Sequence, residues 1–157
     1  MIRLMSQGSW TLKLTKRWWP RIIFDRKMQK ISIKKFLPGI AWFFIVLVVI
    51  CLPGGDIPKA GWLDTIYFDK WVHTGMFGVL TVLFCSPLHN SDFSTQKRIN
   101  YFIKIALAVC LWGLTTEFIQ RFYVAGRSFD LLDWAADSFG ALIALWFCKK
   151  KFIKPAT

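Results

Sequence analysis

The sequence contains few acidic residues and few polar residues of any kind. Only 9 of its 157 residues are Asp or Glu, against 21 Lys or Arg, and only 2 are His. The apolar set AVILMFWYC makes up 55% of the chain before glycine is counted, whereas a soluble domain reaches about 45–50% with glycine included. Too few polar residues remain to cover a soluble core, which excludes a small soluble enzyme. The same hydrophobicity excludes an intrinsically disordered chain.

The spacing of the cysteines carries no recognisable motif. The chain has four cysteines, no two of them share a loop, and none forms a C-x-x-C pair. The spacing therefore predicts neither a redox motif nor a cysteine zinc site. We interpret Cys51, Cys85, Cys110 and Cys148 as small buried hydrophobic residues.

Long apolar segments are what the chain has in abundance. There are four of them, each 17 to 19 residues long. A helix rises about 1.5 Å per residue, so this length crosses a hydrocarbon core of roughly 30 Å. We therefore predict an all-α integral membrane protein, a four-helix transmembrane bundle over residues 36–148. The predicted helices are about 36–52, 69–88, 101–120 and 129–147.

Lysine and arginine are distributed unequally between the connections of these helices. With both termini inside, the inner segments hold 17 of them and the outer loops hold 4. Cytoplasmic segments carry the basic excess in multi-pass proteins, so we predict that both termini are cytoplasmic. The basic N-terminal segment 1–35 and the basic tail 149–157 then orient the helices and contact lipid. We predict no nucleic-acid binding.

The first 27 residues allow two interpretations. They interleave seven basic residues with tryptophan, isoleucine and phenylalanine, and a basic stretch beginning at Met28 follows them. Translation that begins at Met28 would leave residues 1–27 out of the protein. Alternatively, residues 1–27 form a basic, aromatic segment that lies on anionic lipid. The predicted topology is the same in both cases.

Polar residues that interrupt the apolar segments fall at their predicted outer ends. A charged side chain in mid-membrane costs about 2.5–3.5 kcal/mol on insertion scales, so such residues need partners or a function. In the second helix, Asp69 and His73 are four residues apart and share a face. Gly75 and Gly78 follow, and small residues at such positions allow another helix to approach.

The third and fourth helices carry polar residues at the same predicted end. Glu117 and Gln120 share a face near the end of the third helix, and Asp130, Asp133 and Asp137 form one stripe at the start of the fourth. An arginine just before the fourth helix is positioned to pair with an acid. We predict an outward-facing polar pocket lined by Asp69, Lys70, His73, Glu117, Gln120, Arg127, Asp130, Asp133 and Asp137.

These motifs resemble those of the VanZ-like family. The resemblance rests on D-K-x-x-H in the second helix, on E-x-x-Q-x-F followed by G-R-S-x-D from Glu117 to Asp130, and on D-S-x-G from Asp137. It extends over about Ile40–Phe147, and Asp137 replaces a residue that is often Asn in the family pattern. The resemblance implies a small four-helix protein of the bacterial cytoplasmic membrane. The family is named for a member associated with teicoplanin resistance.

Four kinds of function remain open for the predicted pocket. In the first, it binds an envelope glycan, a peptide or a lipid-linked ligand and modulates glycopeptide or envelope-stress sensitivity, as the resemblance implies. In the second, the polar residues only hold the helices in register. In the third, His73 with Asp69 or Glu117 acts as a general base on a lipid-linked substrate. Thr115 and Thr116 are the nearest hydroxyls, but hydroxyls in membrane helices more often bond back to the backbone. Transport would require oligomerisation, and the oligomeric state stays open.

No cofactor and no metal are predicted. One histidine with several carboxylates suits a hard divalent cation, whereas zinc normally draws on more His or Cys ligands. The sequence shows no such set, because its other histidine, His89, falls in the predicted inner connection.

Overall fold

Helices are the only regular elements in the part of the chain that the computed structural model describes, residues 31–53 and 67–153. A 3-10 turn, Ile33–Phe36, leads into helix α1, Leu37–Ile50. The further helices are α2, Phe68–His89, α3, Thr95–Tyr123, and α4, Leu131–Phe152. Four spans, the first of them Ile33–Ile50, are long and apolar enough to cross a membrane. The predicted all-α fold with four such helices is confirmed.

The predicted features of residues 1–27 lie outside the described residues, and the orientation of the termini stays a prediction. Two helices begin two or more residues from their predicted starts, and at both starts a polar side chain caps the helix. The Ser94 hydroxyl accepts a hydrogen bond from the Lys97 amide, so α3 begins at Thr95, six residues before the predicted start. The Asp130 carboxylate accepts one from the Leu132 amide at 2.8 Å, so α4 begins at Leu131, two residues later than predicted.

Helices α2 and α4 form the largest interface among the described helices. Small residues allow this close approach: a Cβ added to Gly140 would overlap the backbone carbonyl of Thr74, and one added to Gly78 would lie 3.4 Å from the Gly140 oxygen. Gly78 therefore contacts another helix, as its size suggests. Gly75 does not, because a Cβ added there meets no atom within 4 Å.

The bundle has an apolar surface, and its interior contains buried polar and charged residues beside an apolar core. Leu111 and Trp146 on the surface are 66% and 62% exposed, whereas His73, Glu117 and Asp137 are buried. A surface of this kind is stable against hydrocarbon, where helix association depends on close packing and on interhelical polar contacts. The fold is that of a multi-pass membrane protein.

Candidate functional site

One lysine joins three aspartates at the end of the bundle where α2 and α4 begin. Lys70 Nζ lies 2.8 Å from Asp69 Oδ2, 2.8 Å from Asp130 Oδ2 and 2.5 Å from Asp133 Oδ1. We call these four residues the lysine cluster. Three carboxylates and one ammonium give the cluster a formal charge of −2 when all are ionised. Because Lys70 belongs to α2 and two of the aspartates lie at the start of α4, the cluster holds these helix ends together.

Asp130 has two structural roles besides its ion pair. Its carboxylate caps α4, and its backbone amide donates a hydrogen bond of 2.8 Å to Glu117 Oε2 on α3. The hydrogen bond from Lys70 is the main reason that the pKa of Asp130 is held below its ordinary value, and bonds from nearby backbone amides act in the same direction. Asp130 therefore links three helices through one residue.

His73, Glu117 and Asp137 lie deeper in the bundle, and we call them the histidine triad. His73 Nδ1 lies 2.9 Å from Asp137 Oδ1. One ring nitrogen of His73 and one oxygen from each carboxylate all lie within 4.8 Å of one another. His73 is 5% exposed, and both acids are fully buried. Each residue comes from a different helix, so the triad exists only because α2, α3 and α4 converge here.

The two acids of the triad are incompletely hydrogen-bonded. Glu117 Oε1 and Asp137 Oδ2 are buried and have no hydrogen-bond partner among the described residues. Gly113 on α3 makes room for the second of these atoms, because a Cβ at Gly113 would lie 2.9 Å from Asp137 Oδ2. Burying a carboxylate oxygen without a hydrogen-bond partner costs free energy. Helix packing alone therefore does not account for the triad.

Seven of the nine residues predicted to line the pocket fall in these two groups, and two do not. The Gln120 side chain donates to the Ile50 carbonyl at the end of α1, at 3.3 Å. Arg127 forms no ion pair with a carboxylate of the described residues, and its buried Nε has no hydrogen-bond partner there. Gln120 therefore bonds outside this site, although it was predicted to share a face with Glu117. The predicted pairing of Arg127 with an acid is not observed among the described residues.

The partner of His73 also differs from the expectation. The sequence paired it with Asp69 or Glu117, but its hydrogen bond is to Asp137, because Asp69 is engaged by Lys70. The expectation for the two threonines is confirmed: the Thr115 hydroxyl donates to the Leu111 carbonyl and that of Thr116 to the Gly113 carbonyl. Neither hydroxyl is poised as a nucleophile beside the triad.

An apolar groove between α2 and α4 was not predicted. Its volume is about 460 Å³, and we call it the α2–α4 groove. Thr74 and Gly140 line it near the triad, since Thr74 follows His73 and Gly140 lies three residues after Asp137. It extends to Leu83 and Phe147. Gly75 also lines the groove. Because an added Cβ there would meet no atom within 4 Å, Gly75 leaves open space beside the contact between α2 and α4.

A comparison with known families matches residues 5–154 of the chain to the family described as VanZ/LLP1. The match covers nearly the whole chain, and it extends beyond the motif-bearing stretch in both directions, into most of the N-terminal segment. No curated protein and no solved structure matches the chain.

Proposed function

The chain belongs to the VanZ/LLP1 family, and from this premise we propose that it binds an envelope ligand at the polar end of its bundle. The proposed ligand is lipid-linked and carries a glycan or peptide headgroup. By holding this ligand, the protein modulates sensitivity to glycopeptides or to envelope stress. The observation that supports the proposal best is the adjacency of the polar groups and the α2–α4 groove.

The volume and the apolar lining of the α2–α4 groove suit a hydrocarbon chain. From Thr74 to Leu83 it follows ten residues of α2, about 13.5 Å along the helix axis. Gly75, where an added Cβ would meet no atom within 4 Å, leaves space for a chain that lies along the contact between α2 and α4. A chain that leaves bilayer lipid for this groove gains little free energy, since lipid is as apolar as the groove. The headgroup must therefore supply most of the affinity.

The charge of the lysine cluster indicates which headgroups suit it. Lys70 is already engaged by three carboxylates, so the cluster offers an incoming group mainly negative charge. Hydroxyls and ammonium groups can donate to these oxygens, and a hydrogen bond to a charged group contributes about 1.5–3 kcal/mol. A glycan hydroxyl or a peptide amine fits this site better than a bare phosphate does. Asp69 is the most accessible of the acids, with its side chain 54% exposed.

The excess of basic residues in the inner segments supports an orientation with the lysine cluster on the outer face of the bacterial cytoplasmic membrane. Both termini are then cytoplasmic. An impermeant thiol reagent tests this orientation on cysteines introduced at Gly126 and Ser91, after the four native cysteines are replaced by alanine. We expect labelling at residue 126 and protection at residue 91. The reverse result would place the cluster on the cytoplasmic side and contradict the proposal.

The ligand itself is tested with the full chain expressed in a glycopeptide-susceptible bacterium. We would measure membrane accumulation, teicoplanin sensitivity and co-purified lipids by mass spectrometry, for wild type and for Asp69→Asn. The matched control is Asp92→Asn, which removes the same charge from the α2–α3 connection. We expect Asp69→Asn alone to lose the co-purified lipid and the resistance effect at normal accumulation. Equal phenotypes for both variants would refute the proposal.

A membrane-embedded enzyme is the second candidate, and the His73–Asp137 pair favours it. In that case His73 acts as the general base and a carboxylate orients it. The same co-purification distinguishes the two functions. An enzyme converts the bound lipid to a product of different mass during incubation, whereas a binding protein releases it unchanged.

A further inference from the structure

The histidine triad has the composition of a metal-binding site. It combines an imidazole with two carboxylates, and its three donor atoms lie within 4.8 Å of one another. Ligand atoms that share one ion at about 2.0–2.2 Å lie at most about 4.4 Å apart. Only a small inward movement of the side chains therefore separates the observed arrangement from a coordinated one.

The unpartnered oxygens are an independent indication of a ligand. Glu117 Oε1 and Asp137 Oδ2 are buried without a hydrogen-bond partner in the described part of the chain, although the other oxygen of each residue is engaged. If the triad existed only to hold the helices in register, both oxygens of each acid would be expected to find partners. The two free oxygens instead retain lone pairs that can coordinate a cation.

Electrostatics also favours a bound cation. Both carboxylates are fully buried, and the ammonium of Lys70, which lies at this end of the bundle, is engaged by the lysine cluster. A neutral histidine with two carboxylates carries a charge of −2, which one divalent ion balances. Buried charges in proteins are paired or coordinate metals, and coordination satisfies both free oxygens at once.

We propose that His73, Glu117 and Asp137 bind one divalent transition-metal ion. The two carboxylates suit Mn²⁺ and the imidazole suits Zn²⁺, although zinc sites usually contain more His or Cys ligands, so both ions are tested. Three protein ligands leave a coordination position for water, the pattern of open metal sites rather than closed structural ones. The proposal does not depend on the lipid ligand, since metal content is measured without it.

The test uses the full chain, purified in detergent with an affinity tag that contains no histidine. After treatment with EDTA, Zn²⁺ or Mn²⁺ is added back and bound metal is measured by mass spectrometry and by isothermal titration. We expect one ion per chain in wild type. Loss of an outer-shell partner of a metal typically lowers affinity 10–100-fold, so Asp137→Asn and Glu117→Gln, which remove ligands, should lower it by at least that factor.

A matched control comes from the lysine cluster. Asp69→Asn removes a carboxylate at the same end of the bundle but outside the triad, and it should bind one ion with unchanged affinity. Absence of a stoichiometric ion from wild type would overturn the proposal, because that measurement requires no mutation and no refolding. Binding lost in Asp69→Asn but kept in Asp137→Asn would also overturn it, since the ion would then be held by the lysine cluster.

A second variant perturbs the geometry of the triad without removing any of its three side chains. Gly113→Ala adds a Cβ about 2.9 Å from Asp137 Oδ2 and displaces this oxygen. We expect weaker Zn²⁺ binding by a folded protein whose three donor residues are all present. Affinity equal to that of wild type would show that Asp137 Oδ2 does not coordinate the ion. Co²⁺ in place of Zn²⁺ gives a visible spectrum that reports a change in coordination directly.

Discussion

A pair of glycine substitutions tests the packing on which the site depends. Gly75 and Gly140 both line the α2–α4 groove, but only Gly140 lies against the facing backbone. A methyl group at residue 140 would overlap the Thr74 carbonyl, and a backbone atom cannot rotate away as a side chain can. A methyl group at residue 75 meets nothing within 4 Å. Gly140→Ala must therefore push α2 and α4 apart, whereas Gly75→Ala need not.

The magnitude follows from two opposing effects. Replacing a helical glycine by alanine stabilises a helix by about 0.8–1 kcal/mol, and this gain is common to both variants. Overpacking a tight contact costs typically about 1–3 kcal/mol. The difference in unfolding free energy between the variants isolates the second effect. We expect Gly140→Ala to be less stable than Gly75→Ala by about 1–3 kcal/mol.

Reversible unfolding of the purified protein in mixed micelles, followed by circular dichroism, provides the measurement. Gly75→Ala should unfold at or above the wild-type midpoint, and Gly140→Ala below the midpoint of Gly75→Ala. Equal midpoints for the two variants would refute the close approach of α2 and α4 at Gly140. The position of Asp137 opposite His73 would then lose its structural basis, because Asp137 is one turn away from Gly140.

Three further predictions concern the polar residues. Because the pKa of Asp130 is lowered by Lys70, its ionised form stabilises the fold above about pH 4, the ordinary range of an aspartate. This contribution should be lost as the pH falls through the lowered pKa. The unfolding free energy of Asp130→Asn should therefore depend less on pH in the acid range than that of wild type does. Lys70→Met leaves three carboxylates without their common cation and should lower stability by more than Asp69→Asn does, measured in the same unfolding assay. Gln120→Leu removes the bond to the Ile50 carbonyl and should cost about 1 kcal/mol while bound lipid and metal stay unchanged; a loss of either would assign Gln120 to the site.

The sequence pattern could not predict that the polar residues separate into two groups. Spacing along one helix shows that Asp130, Asp133 and Asp137 share a face, but it does not show that Lys70 joins the first two while His73 bonds the third. These pairings depend on the rotation of α2 relative to α4. Gln120 illustrates the same point, because its partner is a carbonyl on α1, 70 residues earlier in the chain.

Hydropathy and spacing along the chain determined that this is an all-α protein with four spans, and they identified the polar residues of three of them. These are local properties, since the length of an apolar segment and the face of a helix are read from consecutive residues. The tertiary structure alone decided that His73, Glu117 and Asp137 lie within 4.8 Å, that two of their oxygens are unpartnered, and that a groove opens beside them. The physical reason is that small residues such as Gly113 and Gly140 set how closely the helices approach, and this distance selects the neighbours of each side chain.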